Sequence, residues 1–150
     1  MKRIIFVMTM VCLVCGIYSC KQSSVAVKSD AVQDIPKLTD KYWKLVELMG
    51  ERVTYAEGYP REAQISFKSD SAVYGNSGCN TFQGKYVLEN VDRIHFSQMA
   101  VTQMMCIDMS IETKLLKVFE LADSYYLKGD TLILNRARMA PLARFEAVYM

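Results

Sequence analysis

The feature that most limits how this chain can fold is the rhythm of residues 41–150, where short apolar runs alternate with polar turn clusters. Tyr42-Trp43-Lys44-Leu45-Val46-Glu47-Leu48 is aromatic and β-branched and stops at Gly50. Ala63-Gln64-Ile65-Ser66-Phe67 alternates apolar and polar side chains, the period-2 pattern of a strand with one face buried. Lys68-Ser69-Asp70-Ser71 reads as a turn, with Ala72-Val73-Tyr74 as the returning strand. Asn76-Ser77-Gly78 marks a loop, because Asn and Gly tolerate unusual backbone angles. Residues 82–88 and 93–96 read as strands around Glu89-Asn90-Val91-Asp92. Tyr125-Tyr126-Leu127, Lys128-Gly129-Asp130 and Thr131-Leu132-Ile133-Leu134 form a tight hairpin, and residues 143–149 supply a last strand after Pro141.

One stretch departs from this rhythm. Ile111, Leu115, Val118 and Phe119 fall at i, i+4, i+7 and i+8, which is one face of a helix. Ser110 is the expected N-cap, and Glu112 in the first turn suits the helix dipole. The expected fold is therefore mainly β: a small antiparallel barrel or strongly curved sheet, which leaves few exposed edges, with one amphipathic helix over an open end or face.

The N-terminus follows a different logic. Lys2 and Arg3 precede an apolar stretch, residues 4–18, too short to span a bilayer comfortably. This is the pattern of a cleaved signal peptide. Gly16-Ile17-Tyr18-Ser19-Cys20 looks like a lipobox, with Cys20 as the lipidated first residue of the mature protein. Cys15 is the weaker anchor, since it would leave Gly16-Ile17-Tyr18 on the mature chain. The reading is residues 1–19 as signal, 20–40 as lipidated cysteine and polar tether, and 41–150 as one domain. A coil of that length would hold the domain roughly 25 Å from the bilayer. Lys21 is not an aspartate, which by resemblance to the enteric sorting rule points to the outer membrane, facing the periplasm.

This address decides the cysteine count and the charge. Of five cysteines, Cys12 and Cys15 leave with the signal and Cys20 carries lipid. Cys79 and Cys106 remain, an even pair in an oxidising compartment, where a disulfide is the default. The formal charge is +2, but Lys2 and Arg3 are the only charges in residues 1–19. Without them the basic residues equal the 16 acidic ones, which argues against a nucleic-acid surface.

The order of motifs resembles the META domain family, the group that includes a heat-shock protein. Trp43-Lys44-Leu45 matches on the first strand, followed by Ser77-Gly78-Cys79-Asn80-Thr81-Phe82-Gln83-Gly84-Lys85-Tyr86. Ile94, then Met99-Ala100-Val101-Thr102-Gln103-Met104-Met105-Cys106, Glu112 and the Gly129-Asp130 hairpin complete it. Thr81 stands where a basic residue is usual, and Ile107 where a proline often follows the cysteine. The resemblance covers residues 42–147. It implies a small antiparallel β domain with a helix, commonly envelope-located and lipid-anchored, loosely linked to stress tolerance and without an established enzymatic activity or cofactor. Its motif residues here are Trp43, Gly78, Cys79, Asn80, Gly84, Thr102, Met104 and Cys106.

Three chemistries are open to these residues. Cys79 with His95 would make a nucleophile and base, but His95 sits in alternating Arg93-Ile94-His95-Phe96 on the expected solvent face. Met99, Met104, Met105, Cys106 and Met109 form a soft-donor cluster suited to Cu(I). The competing reading has these methionines filling core gaps between a strand and the helix. Binding is the third: Tyr42, Tyr55, Tyr59, Tyr74, Tyr125 and Tyr126 are many amphipathic rings, and Glu57-Gly58-Tyr59-Pro60 reads as an exposed loop. The leading expectation is a non-enzymatic envelope protein, attached to the membrane through its lipid and binding another envelope protein or a small ligand.

Overall fold

The structure is a computed structural model that describes residues 37–55, 61–137 and 139–149. The signal segment, Cys20, the tether up to residue 36 and the Glu57-Gly58-Tyr59-Pro60 loop lie outside the described residues.

The described elements are β1 (Tyr42–Leu48), β2 (Glu51–Arg52), β3 (Gln64–Phe67), β4 (Ala72–Asn76), β5 (Thr81–Glu89), β6 (Arg93–Val101), α1 (Ser110–Leu121), β7 (Ser124–Lys128), β8 (Thr131–Asn135) and β9 (Ala143–Val148). They make one mainly β fold. The strands run in the order β2-β1-β3-β4-β5-β6-β7-β8-β9, each antiparallel to its neighbours, and β1 also pairs with β9. The sheet thus curves into a ring.

Alternation decides which side chains enter it. Trp43 and Leu45 on β1, Ile65 and Phe67 on β3, Leu132 and Leu134 on β8 all face inward, buried. The expected helix is present, and Leu115, Val118 and Phe119 are its buried apolar face. Phe119 stacks against Phe82 of β5 and Phe96 of β6, with ring centroids 4.9 and 5.0 Å apart. Aromatic pairs at this spacing add about 0.5–1.5 kcal/mol each beyond the area they bury.

The seam between β6 and β7 differs from the others, with Arg93 and Ser124 as its single ladder pair. Asp123 reinforces it. Its carboxylate Oδ1 accepts bonds from Ala137 N–H at 2.6 Å and from the Ser124 hydroxyl at 2.9 Å, and lies 3.2 Å from the Arg93 guanidinium. The Ala137 N–H, helped by Ser124 and Arg93, holds the Asp123 carboxyl below the usual carboxylate range.

Several boundaries differ from the sequence reading. Leu38 and Thr39, assigned to the tether, are packed into the domain: Leu38 O accepts the Trp43 indole N–H at 2.8 Å, and Thr39 bridges to Phe67. Strand β2 was not foreseen. It returns on β1 through Met49 and Gly50, both at positive φ (52° and 85°), the two-residue geometry that matches hairpin twist. Strand β6 continues past Phe96 to Val101. In the β5–β6 ladder Gln83 faces Ala100 while Lys85 faces Ser97, so β6 carries one extra residue, with Gln98 at φ 53°. Such a bulge disrupts the alternation a sequence reading follows. The last strand stops at Val148 rather than residue 149. Ser110 is not the N-cap: that position is Met109, and the Asp108 carboxylate accepts the Ser110 N–H at 2.8 Å.

Candidate functional site

The motif residues converge at the start of β5. Gly78 sits at φ 105°, a backbone region that L side chains rarely adopt, and its N–H is held by the Asn76 side-chain oxygen at 2.8 Å. The turn closes with Ser77 N–H donating to Asn80 O at 2.8 Å. This places Cys79 against the connection after β6, where it forms a disulfide with Cys106, the Cα atoms 6.0 Å apart.

Asn80, 1% exposed, is the hub. Its amide nitrogen donates to Met104 O at 3.0 Å and to Glu112 Oε1 at 2.9 Å. Its amide oxygen accepts from Met104 N–H at 2.7 Å and from the Thr102 hydroxyl at 2.8 Å. All four hydrogen-bonding positions of the amide are therefore used. Thr102 also ties back to β5, its hydroxyl accepting the Thr81 N–H at 3.1 Å.

Glu112 lies in the first turn of the helix as expected, but its contact with Asn80 was not foreseen. It is buried, and its carboxylate reaches off the first turn of α1 into this network. Oε2 accepts from the Ser77 hydroxyl at 2.6 Å and from Asn80 N–H at 2.8 Å. With the Asn80 amide on Oε1, three donors and the helix N-terminus surround the carboxylate, and none of the described ion pairs includes it. Beside this network the Asn76 side-chain nitrogen is buried without a partner among the described residues.

Trp43 and Gly84 act elsewhere. Trp43 is fully buried beneath the segment that precedes β1. Gly84 faces the bulge of β6, where a Cβ would collide with the Met99 sulfur and sit 3.0 Å from Ser97 O. Glycine is required here for close approach.

The structure separates the two candidate chemistries of the sequence. Cys79 is bonded to Cys106, so neither sulfur is a thiolate in this state. His95 is exposed on β6 opposite Val87, six residues along β5 from Thr81 and so roughly 20 Å at strand rise from the start of the strand, which Cys79 precedes. The methionines are spread as well. Met99 lies in β6 under Gly84, whereas Met104 and Met105 are exposed, at 52% and 96%. No group of three or more His, Cys, Asp or Glu side chains that could hold a metal occurs among the described residues.

The tyrosines divide between structure and surface. Tyr55 accepts the Ala63 N–H at 2.9 Å. Tyr86, buried over most of its surface, donates to Lys68 O at 2.8 Å, and burial pushes its hydroxyl pKa up. Tyr74 and Tyr126 are exposed. Tyr74 borders an open cleft of about 550 Å³ with Thr81, Gln83, Ala100 and Thr102. A second open cleft, about 410 Å³, lies between β2 and the start of α1, where Lys114 pairs with Glu51 at 2.8 Å.

A ring of antiparallel strands with one amphipathic helix packed against it by its apolar face, stapled at the start of β5 by a cystine and a buried Asn–Glu pair, defines a class of small β domain. The chain belongs to the META domain family, whose model matches residues 36–149. Solved structures share the fold. A protein solved by NMR is 21% identical with a TM-score of 0.58, over 73% of this chain and 90% of that one. An NMR structure of a protein from Burkholderia xenovorans is 18% identical with a TM-score of 0.59, over 75% and 85%. The crystal structure of a duf4847 family protein from Bacteroides vulgatus ATCC 8482 is 14% identical with a TM-score of 0.53, over 75% and 96%. No curated protein matches the chain.

Proposed function

We propose that this META-type protein is anchored to the cell envelope through lipid on Cys20. It supports envelope stress tolerance by binding a protein or small ligand, without catalysing a reaction. The observation that carries this reading is how the motif residues are used. Gly78, Cys79, Asn80, Thr102, Met104 and Cys106 are all engaged in the cystine and the Asn80–Glu112 network, so the motif builds the fold around α1. Surfaces that remain open for recognition include the Tyr74 cleft, the cleft between β2 and α1, and the exposed Met104-Met105 segment.

Complementation of a strain lacking the gene tests it. Wild type and His95→Ala should restore tolerance to envelope stress, while Cys20→Ala should not. Failure of His95→Ala, or turnover by the purified domain that disappears in Cys79→Ser, would point to an enzyme instead. Cu(I) binding that competes with a chelator and is lost in a Met104→Leu, Met105→Leu double variant would point to the soft-donor reading.

A further inference from the structure

We propose that the tip of the β5–β6 hairpin is a membrane-contacting surface that sets which end of the domain faces its bilayer; this rests on the lipid-anchor reading above. The argument begins where the chain enters the domain. Thr39 bridges to Phe67 at the end of β3, and the turn through residues 68–71 follows directly. Tyr86 of β5 is bonded to that turn twice, through its N–H to Ser71 O at 3.0 Å and its hydroxyl to Lys68 O at 2.8 Å. Strand β5 then continues to Glu89 before the hairpin turns into Arg93. The tip therefore lies at the end of the ring where the chain enters.

Three apolar side chains there are unburied. Val87 is 49% exposed, Leu88 42% and Val91 91%. Val87 and Leu88 point to opposite faces of the strand, and both are exposed because β5 runs on beyond β4, whose last partner on it is Lys85, while on the other side of the hairpin Asp92 O accepts the Tyr125 N–H of β7. The charges around it are of both signs, Lys85 and Arg93 against Glu89 and Asp92, which favours a zwitterionic surface over an anionic one.

The opposite end carries a competitor. Met105 is 96% exposed, and Ile107 is fully so, on the connection held by Asn80 and the cystine at the other end of β5. Apolarity alone would not choose between these tips. The tether does. Residues 20–37 span at most about 60 Å even when fully extended, and they join the domain at the Thr39 end. A nine-residue strand such as β5 is itself about 30 Å long. The end where the chain enters is thus held near the bilayer at high effective concentration, and contacts too weak to bind a free domain become populated.

Full-length lipidated protein in phosphatidylcholine–phosphatidylethanolamine vesicles tests this. A single cysteine, Val91→Cys or Met105→Cys, is labelled with an environment-sensitive fluorophore without reductant, since Cys79 and Cys106 are paired. The expected result is a blue shift at residue 91, lost signal there with lipid-borne quenchers, and a water-like spectrum at residue 105. Protein that carries no lipid on Cys20 and does not float with the vesicles overturns the anchor reading, and this inference with it. Protein that floats but leaves residue 91 as wet as residue 105, or quenches residue 105 instead, overturns the inference alone.

Discussion

Asn80 and Glu112, 32 residues apart, meet edge to edge: Glu112 Oε1 accepts the Asn80 side-chain amide at 2.9 Å, and Oε2 accepts the Asn80 backbone N–H at 2.8 Å. The pair joins the first turn of the helix to the start of β5. The same Asn80 amide grips both polar groups of the Met104 backbone.

Breaking this pair should cost more than an ordinary surface change. Glu112→Gln puts an N–H where a donor now arrives, so one buried donor loses its partner, at about 1–3 kcal/mol. Asn80→Ala strands Thr102, Met104 and Glu112 together and should cost about 3 kcal/mol. Urea denaturation of both variants measures this. Losses additive with Glu112→Ala in the double variant would show that the two residues are not coupled.

The disulfide acts beside this network. Closing a loop with a sequence separation of 27 should stabilise the domain by roughly 3.5 kcal/mol through the unfolded state. A Cys79→Ser, Cys106→Ser variant should keep the native far-UV spectrum and unfold at lower denaturant. Stability equal to wild type would show that the bond contributes nothing.

Gly84→Ala should destabilise by about 1–3 kcal/mol, because a Cβ there overpacks the bulge of β6. The Met99 side chain can yield, but Ser97 O belongs to the backbone. Adding Met99→Ala should therefore recover part of the loss, and full recovery would locate the conflict in the sulfur alone.

Asp123 gives the seam a pH dependence. Its folded carboxyl titrates below the ordinary aspartate value of about 3.9, so its stabilisation is complete above about pH 4 and is lost as pH falls through the lower, folded value. Asp123→Asn should lower the melting temperature at pH 7, and its gap to wild type should narrow as pH falls below the usual carboxylate range. Parallel melting curves across that range would remove Asp123 from the account.

The sequence showed elements wherever side-chain periodicity is local. Strands β1 and β3, the β7–β8 hairpin and the buried face of α1 were legible because their apolar residues repeat at strand or helix spacing. Strand β2 was not, since Glu51 and Arg52 carry no apolar pattern and their pairing follows from the Met49-Gly50 turn. The extension of β6 was hidden by its bulge, which left Met99 looking like part of a connection. Glu112 was read as a dipole partner because a contact with Asn80 across 32 positions leaves no local trace. The pairing of Cys79 with Cys106 was legible from compartment and count, while the network around it was not.

The central claim is that the motif is consumed by the fold, and free-thiol counting on the purified protein tests it most directly. Alkylation without reductant, followed by mass spectrometry, should leave Cys79 and Cys106 unmodified, with both labelled after reduction and unfolding. If both are alkylated in the native, oxidised protein, the cystine is absent, the thiols are available for chemistry, and the structural reading of the motif is wrong.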